Sequence, residues 1–332
     1  MNTFVIAEAG ANHNRNFKQA LALIDVAKDA GASSVKFQTY SADTLYAQTA
    51  KDVDGLINVH ELIKNNELPR SWQKDLKKYC DDNNIEFMST PFDNKAVDEL
   101  FNIGVKRLKI AGFEATDPRF VRYVAQTGLP LIVSAGIGCS LNKIQDIIRW
   151  IKEENPQPDI TILHCNNAYP TPMSDICLGQ MLLIKKEYPS VKIGLSDHTL
   201  GILIPPVAVA LGAQVIEKHY TLDKSHPGPD HSFAIEPQEL KKMINNISDI
   251  ESSLTAQDKL YTNSEENHVQ ARRSVVTLSN VKKGTTASAN NITTMRPLVD
   301  EAIPAEDFYS CLGKKFSSNL GPNAIIKKHH LE

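Results

Sequence analysis

Membrane-length apolar runs, a strong charge of either sign and paired cysteines are all missing from this chain of 332 residues. No apolar stretch reaches the roughly 18 residues that a bilayer-spanning helix needs, so no membrane partner is expected. The amino-terminal MNTFVIAEAG has no charged segment leading into a long apolar run and a cleavage site, and a cytoplasmic protein is expected. A formal net charge of −3 provides no basic field for nucleic acid or an anionic membrane surface. The five cysteines (Cys80, Cys139, Cys165, Cys177 and Cys311) are odd in number and form no C-x-x-C pair. That pattern argues against a disulfide framework or a structural zinc site and points to reduced, mostly buried thiols.

What remains is alternation. Apolar runs over Thr3–Glu8, Ser34–Gln38, Glu86–Ser89, Arg107–Ala111, Pro130–Ser134, Asp159–His164, Lys192–Ser196 and Gln214–His219 read as buried strands. Helix-patterned segments lie between them near 16–29, 71–83, 94–102, 117–127, 141–154, 175–187 and 199–211, with another near 236–253. Eight βα units in about 250 residues match an α/β fold of the TIM (β/α)8 barrel type. A doubly wound open sheet is the alternative, but polar residues follow all eight strands, which favours the closed barrel. Segment 41–70 is too long for a routine connection and is expected to fold over the mouth as a lid. The expected organisation is a catalytic barrel over 1–253, a polar linker over 254–270 and a small domain over 271–332. Some 60 residues make a marginal core alone, so that domain is expected to dock on a neighbour.

In such a barrel the chemistry sits at the carboxyl ends of the strands. Strands seven and eight end in His198 and His219, two imidazoles expected in one mouth, each beside a carboxylate (Asp197, Glu217). They are either hydrogen-bonded scaffold or ligands for a divalent ion. Lys36 and Lys109 interrupt apolar runs, where a lysine is costly unless an anion or carboxylate meets it. They either pair with Glu8 or Glu114 in buried bridges, or join Thr90, Ser134, Asn167 and Ser196 in a phosphate pocket, or act as Schiff-base nucleophiles. Glu8 and Glu114 are candidate general bases. In loop eight the Pro-Gly-Pro turn at 227–229 aims Asp230, as a turn cap or an acceptor for a substrate hydroxyl.

Taken together these residues resemble the sialic acid synthases, also called nonulosonic acid synthases. The matching strings are IAEAGANH (6–13), VKFQT (35–39), STPF (89–92), KIAGFE (109–114), HCNNAYPTP (164–172), LSDHT (195–199), EKH (217–219) and PGPD (227–230). The tail is similar to that family's antifreeze-like SAF domain, through VKKG (281–284), Arg296-Pro297 and LGK (312–314). The resemblance implies condensation of phosphoenolpyruvate with the open-chain aldehyde of an N-acylated hexose, giving a nine-carbon 2-keto acid and phosphate. It implies Mn2+ or Mg2+ on His198 and His219, and phosphoenolpyruvate contacts from Lys36, Thr90, Lys109, Ser134, Asn167 and Ser196. Gln38, Tyr169 and Asp230 would contact the sugar. Arg296 would reach the N-acyl group across a domain-swapped homodimer, in which the small domain of one chain covers the barrel mouth of the other. Glu114 would handle protons on the water that adds to the substrate, and Glu8 would hold a metal-bound water or the hexose. Gly112 departs from the family, where a serine is common, so one phosphate hydroxyl is expected to be missing. Asn166 stands where threonine is frequent and is expected to alter the pocket. A pyruvate aldolase using Lys36 or Lys109 as a Schiff base is the competing enzyme reading.

Overall fold

Burial on both faces is what eight apolar runs require, and a ring of parallel strands wrapped in helices supplies it. The computed structural model describes residues 3–51, 55, 58–256 and 258–332. The chain divides into two compact units, Met1–Thr255 and Ala256–Glu332. In the first, the strands are β1 (Phe4–Gly10), β2 (Ser34–Thr39), β3 (Glu86–Pro91), β4 (Leu108–Ile110), β5 (Leu131–Ala135), β6 (Ile160–Cys165), β7 (Lys192–Asp197) and β8 (Val215–His219). They pair in parallel in the order β3-β2-β1-β8-β7-β6-β5-β4, and β3 packs beside β4, so the barrel is nearly closed.

The helices of this unit are α1 (Phe17–Ala30), α2 (Ala42–Leu45), α3 (Val59–Lys64), α4 (Gln73–Asp82), α5 (Asn94–Asn102), α6 (Pro118–Ala125), α7 (Leu141–Glu154), α8 (Gly179–Glu187), α9 (Ile204–Ala210) and α10 (Pro237–Ser253). Local chemistry sets their ends. Asn16 caps α1 by accepting from the amides of Lys18 and Gln19, and Gly31 stops it in the left-handed region. Helix α9 begins later than the apolar pattern suggests because Pro205 and Pro206 fix its first turn. Among the described residues the expected lid carries the short α2 and α3; its residues 52–54, 56 and 57 lie outside those described.

Period-two alternation sorts the inward-facing residues into layers. Ile6, Met88, Ile132, Leu163 and Val215 form an apolar plug. A Cβ at Gly194 would fall 2.2 Å from the Val215 carbonyl oxygen and 2.6 Å from Leu163 Cδ2, so the plug needs glycine there. Two residues along the same strands come Glu8, Thr90, Ser134, Cys165 and Glu217, all buried, in a layer shared with Lys36, Lys109 and Ser196. Two residues further come Gln38, Asn167, His198 and His219, toward the mouth.

The loop after β1 buries His13 against Phe37 and Trp72. Burial, with smaller contributions from the Arg15 and His231 charges, holds its imidazole down to about 4 from 6.5, and its Nδ1 accepts the Arg15 amide at 3.0 Å. Below pH 6.5 the unfolded chain takes a proton that the folded chain refuses until about pH 4, so stability falls as pH falls across that window. The loss by pH 4 is expected to reach about 3 kcal/mol. Denaturant midpoints of wild type and His13→Gln at pH 7 and pH 5 check this: the variant should lose less stability, and equal losses would remove His13 as the cause.

The second unit has its own core around Val275, Val281, Ile292, Phe316 and Ile326. Its only regular pairing among the described residues is the antiparallel β9 (Ser274–Thr277) with β10 (Ile292–Met295); the remainder is joined by isolated bridges. A 3-10 helix, Asn263–Ala271, occupies much of the segment expected to be linker. Arg296 is exposed just past β10.

Candidate active site

The buried layer above the apolar plug is built from charges that meet one another. Lys36 Nζ lies 2.8 Å from Glu8 Oε2 and donates to Thr90 Oγ1 at 2.7 Å. Lys109 Nζ donates to Ser134 Oγ at 2.8 Å and lies 3.4 Å from Glu217 Oε1. Glu217 sits between the lysines, accepting from Ser196 Oγ at 3.0 Å, with its other oxygen 3.7 Å from Lys36. Neither lysine bridges to Glu114, one of the two partners open to them in the sequence. Glu217 takes that place instead.

Burial opposes every charge in this layer, and the neighbours decide which survive. It lifts the Glu8 carboxyl to about 7 in spite of Lys36. Glu217 is also desolvated, but Lys109 and Lys36 outweigh that and hold it below the usual carboxylate range. On Lys36 the burial effect is overcome by Glu217 and Glu8, so its ammonium is held firmly; burial prevails on Lys109 and pulls it down. Two lysines thus face one firmly ionised carboxylate and one that is protonated below about pH 7. Below about pH 7 the surplus is positive, and an anion would neutralise it.

Over this floor opens a cavity of about 340 Å³. Gln38, Asn167, Tyr169, His219 and Asp230 line it, and Leu45, Tyr46, Ile63 and Asn66 of segment 41–70 form part of its wall. Gln38 donates to Glu8 Oε1 at 2.9 Å. Asp230 Oδ2 accepts the Ala11 amide at 2.8 Å, and a Cβ at Gly10 would intrude on the same oxygen. The His198 and His219 rings are 5.5 Å apart, with Tyr169 at 4.2 Å from His198. Burial lowers both imidazoles, so both are neutral near pH 7. His198 Nδ1 donates to the Asn166 carbonyl at 2.6 Å, which leaves its Nε2 lone pair free to bind, and His219 Nδ1 is buried without a hydrogen-bond partner among the described residues. Glu114 follows β4 at the start of a 3-10 helix; burial raises its carboxyl, and its Oε2 has no hydrogen-bond partner among the described residues.

The model of the NeuB family matches residues 23–259, and that of the SAF domain matches residues 272–332. The chain belongs to the NeuB family. It is 36% identical to N,N'-diacetyllegionaminic acid synthase of Legionella pneumophila, over 100% of this chain and 95% of that one. It is also 36% identical to pseudaminic acid synthase of Campylobacter jejuni serotype O:23/36, over 98% of this chain and 95% of that one. The crystal structure of N-acetylneuraminic acid synthetase from Leptospira borgpetersenii, solved with citrate, superposes with a TM-score of 0.73 at 34% identity, covering 82% of this chain and 91% of that one.

Of the residues singled out in the sequence of this NeuB family member, Glu8, Lys36, Thr90, Lys109, Ser134 and Ser196 meet in the charged floor, and Gln38, Asn167, Tyr169, His198, His219 and Asp230 converge above it. Glu217, noted only as a neighbour of His219, stands at the centre of the floor. Its signal was parity: residues 217 and 219 share one face of β8. Asp197 does the opposite, turning away from His198 to pair with Lys218. Asn166 also turns away, donating to the Asp175 carbonyl and accepting from the Ala168 amide, so it builds the loop and does not line the pocket.

Gly112 acquires a reason. A Cβ there would sit 2.9 Å from the Asn167 amide, and one at Gly136 would sit 1.9 Å from Asn167 Oδ1. Asn167 fills the space of both missing side chains, and its Oδ1 accepts the Ile137 amide at 2.8 Å. Gly136→Ala is therefore expected to displace Asn167 and lower kcat/KM by about 10²-fold. Gly179→Ala, where a Cβ meets nothing within 4 Å, is the control. Steady-state kinetics showing both variants alike would remove the cradle from the site.

Proposed function

We propose that the chain condenses phosphoenolpyruvate with the open-chain aldehyde of an N-acylated hexose, giving a nine-carbon 2-keto sugar acid and phosphate. The carrying observation is a buried floor that brings Lys36 and Lys109 together directly below His198 and His219, at the base of the cavity that His219 lines. The chain is an enzyme of the sialic and nonulosonic acid synthase type, in keeping with its relatives. In this reading Lys36, Thr90, Lys109, Ser134, Asn167 and Ser196 hold phosphoenolpyruvate, and Gln38, Tyr169 and Asp230 hold the hexose. Glu8 orients the hexose through Gln38, its hydrogen-bond partner.

C3 of phosphoenolpyruvate attacks the aldehyde carbon, and positive charge develops at C2. Water adds at C2, the C2 hydroxyl loses its proton as the tetrahedral intermediate expels phosphate by C–O cleavage, and the 2-keto group remains; of the two protons the water brings, one ends on the alkoxide left by the aldehyde and the other on phosphate. Glu114, whose buried oxygen is uncommitted, takes the proton of that water. The two lysines balance the anion throughout. His198 and His219 offer two neutral nitrogen donors, and the described residues contain no group of three or more His, Cys, Asp or Glu placed to hold a metal. Two imidazoles alone make a sparse nitrogen set that fits Mn2+ better than the oxygen-seeking Mg2+ and leaves its other positions to water and substrate; Mn2+ held there would supply Lewis-acid polarisation of the aldehyde oxygen. Arg296 reaches the N-acyl group in the barrel of a second copy, within a domain-swapped homodimer.

The test is phosphate release from phosphoenolpyruvate with Mn2+ and, separately, N-acetylmannosamine or the two 2,4-diacetamido-2,4,6-trideoxyhexoses of the manno and altro series. Release with one sugar fixes reaction and substrate. Silence with all three sinks the reading.

A further inference from the structure

A second buried ion pair lies outside the reaction chamber. Asp197 and Lys218 are register partners across β7 and β8. Their carboxylate and ammonium meet at 2.7 Å, with side chains 0% and 1% exposed. Lys218 Nζ also donates to the Thr199 carbonyl, while Asp197 Oδ1 accepts from the Thr199 amide at 3.0 Å and its hydroxyl at 2.8 Å. By strand alternation these side chains point to the outer face of the barrel, and the next residue on each strand, His198 and His219, points inward.

We infer that Lys218 and Asp197 form a positioning pair that fixes the separation of the His198 and His219 imidazoles. Each member is bonded directly to one histidine through the backbone, and the pair ties the two strands at the level where the rings emerge. Thr199 extends the tie to the turn just past His198. On the inner side that turn is held by the His198 ring on the Asn166 carbonyl and by the Thr171 amide on the His198 carbonyl, at 2.9 Å. An apolar pair of similar volume would fill the same space at no electrostatic cost. What it would lack is direction: a lysine bonded to a carboxylate and a carbonyl at once tolerates little sliding between the strands. This inference rests on the proposal that the two imidazoles share a divalent ion.

The experiment is calorimetric titration of the full-length protein with Mn2+ alone, with thermal midpoints and phosphoenolpyruvate affinity measured in parallel. Lys218→Met leaves Asp197 uncompensated and should lower the midpoint. The double variant Asp197→Asn with Lys218→Met removes both charges and should recover most of it. In that folded double variant Mn2+ should bind about tenfold more weakly, the size expected for support residues behind metal ligands, with phosphoenolpyruvate affinity unchanged. Thr199→Val keeps both charges, loses one bond to Asp197 and should show a smaller weakening; it carries the test if the double variant does not fold. Unchanged Mn2+ affinity in a folded variant overturns the positioning role and leaves the metal reading standing. If the wild type itself binds no Mn2+, the metal reading fails and this inference with it.

Discussion

Lys109→Met is expected to lower kcat/KM for phosphoenolpyruvate by about 10³, the scale of losing one preorganised charge in a water-excluded site. Lys109 is 2% exposed, donates to Ser134 and faces Glu217. Its loss removes a cation that would face the substrate's phosphate or carboxylate. It also strands Glu217, whose remaining cation, Lys36, is 3.7 Å away, and stability should drop by about 3 kcal/mol. The two effects can be separated. Adding Glu217→Gln to Lys109→Met removes the stranded charge, so the thermal midpoint should recover while turnover stays lost. Recovery of turnover along with stability would make Lys109 a structural partner of Glu217 and nothing more. The aldolase alternative turns on the same residue. Lys36 is held protonated, so Lys109, pulled down by burial, is the only one of the two lysines suited to a Schiff base. Borohydride with pyruvate should leave the protein mass unchanged; a reduced adduct on Lys109 would overturn the synthase reading.

Much of this architecture was legible before any coordinates. Each apolar run became a strand, displaced by no more than two residues at either end, because a fully buried parallel strand has few ways to be written. Helix ends were less legible: α8 starts at Gly179 and not near 175, since Cys177 takes a left-handed conformation that breaks the first turn. The site residues were readable as types, a lysine or histidine inside an apolar run being conspicuous. Their partners were not. Which carboxylate would meet Lys109 depended on barrel register, which places Glu217 across from Ser196. Composition alone could not distinguish Asp197 from Glu217, although strand parity sends one outward to Lys218 and the other inward. Gly112 read as a missing hydroxyl because a sequence does not show what occupies the space; here Asn167 does.

Chelation is expected to remove phosphate release almost entirely, by about 10³ or more, and added Mn2+ to restore it, if the two histidines hold the ion that polarises the aldehyde. The argument comes from what the other groups in the chamber can do. Lys36 and Lys109 belong to the floor, where their charge serves the anion, and Glu114 and Asp230 are carboxyls raised by burial. A carboxyl kept protonated by burial could lend the aldehyde oxygen one hydrogen bond, whereas a divalent ion on His198 and His219, which are buried beside the cavity, would polarise it with a full charge. His219→Ala sharpens the test because it leaves every hydrogen bond of the floor intact. In this variant Mn2+ binding should be lost while phosphoenolpyruvate still binds with wild-type affinity, so catalysis fails at the aldehyde and not at the anion. Full turnover in chelator would instead return the histidines to scaffold, with His198 serving only to tie β7 to the Asn166 loop.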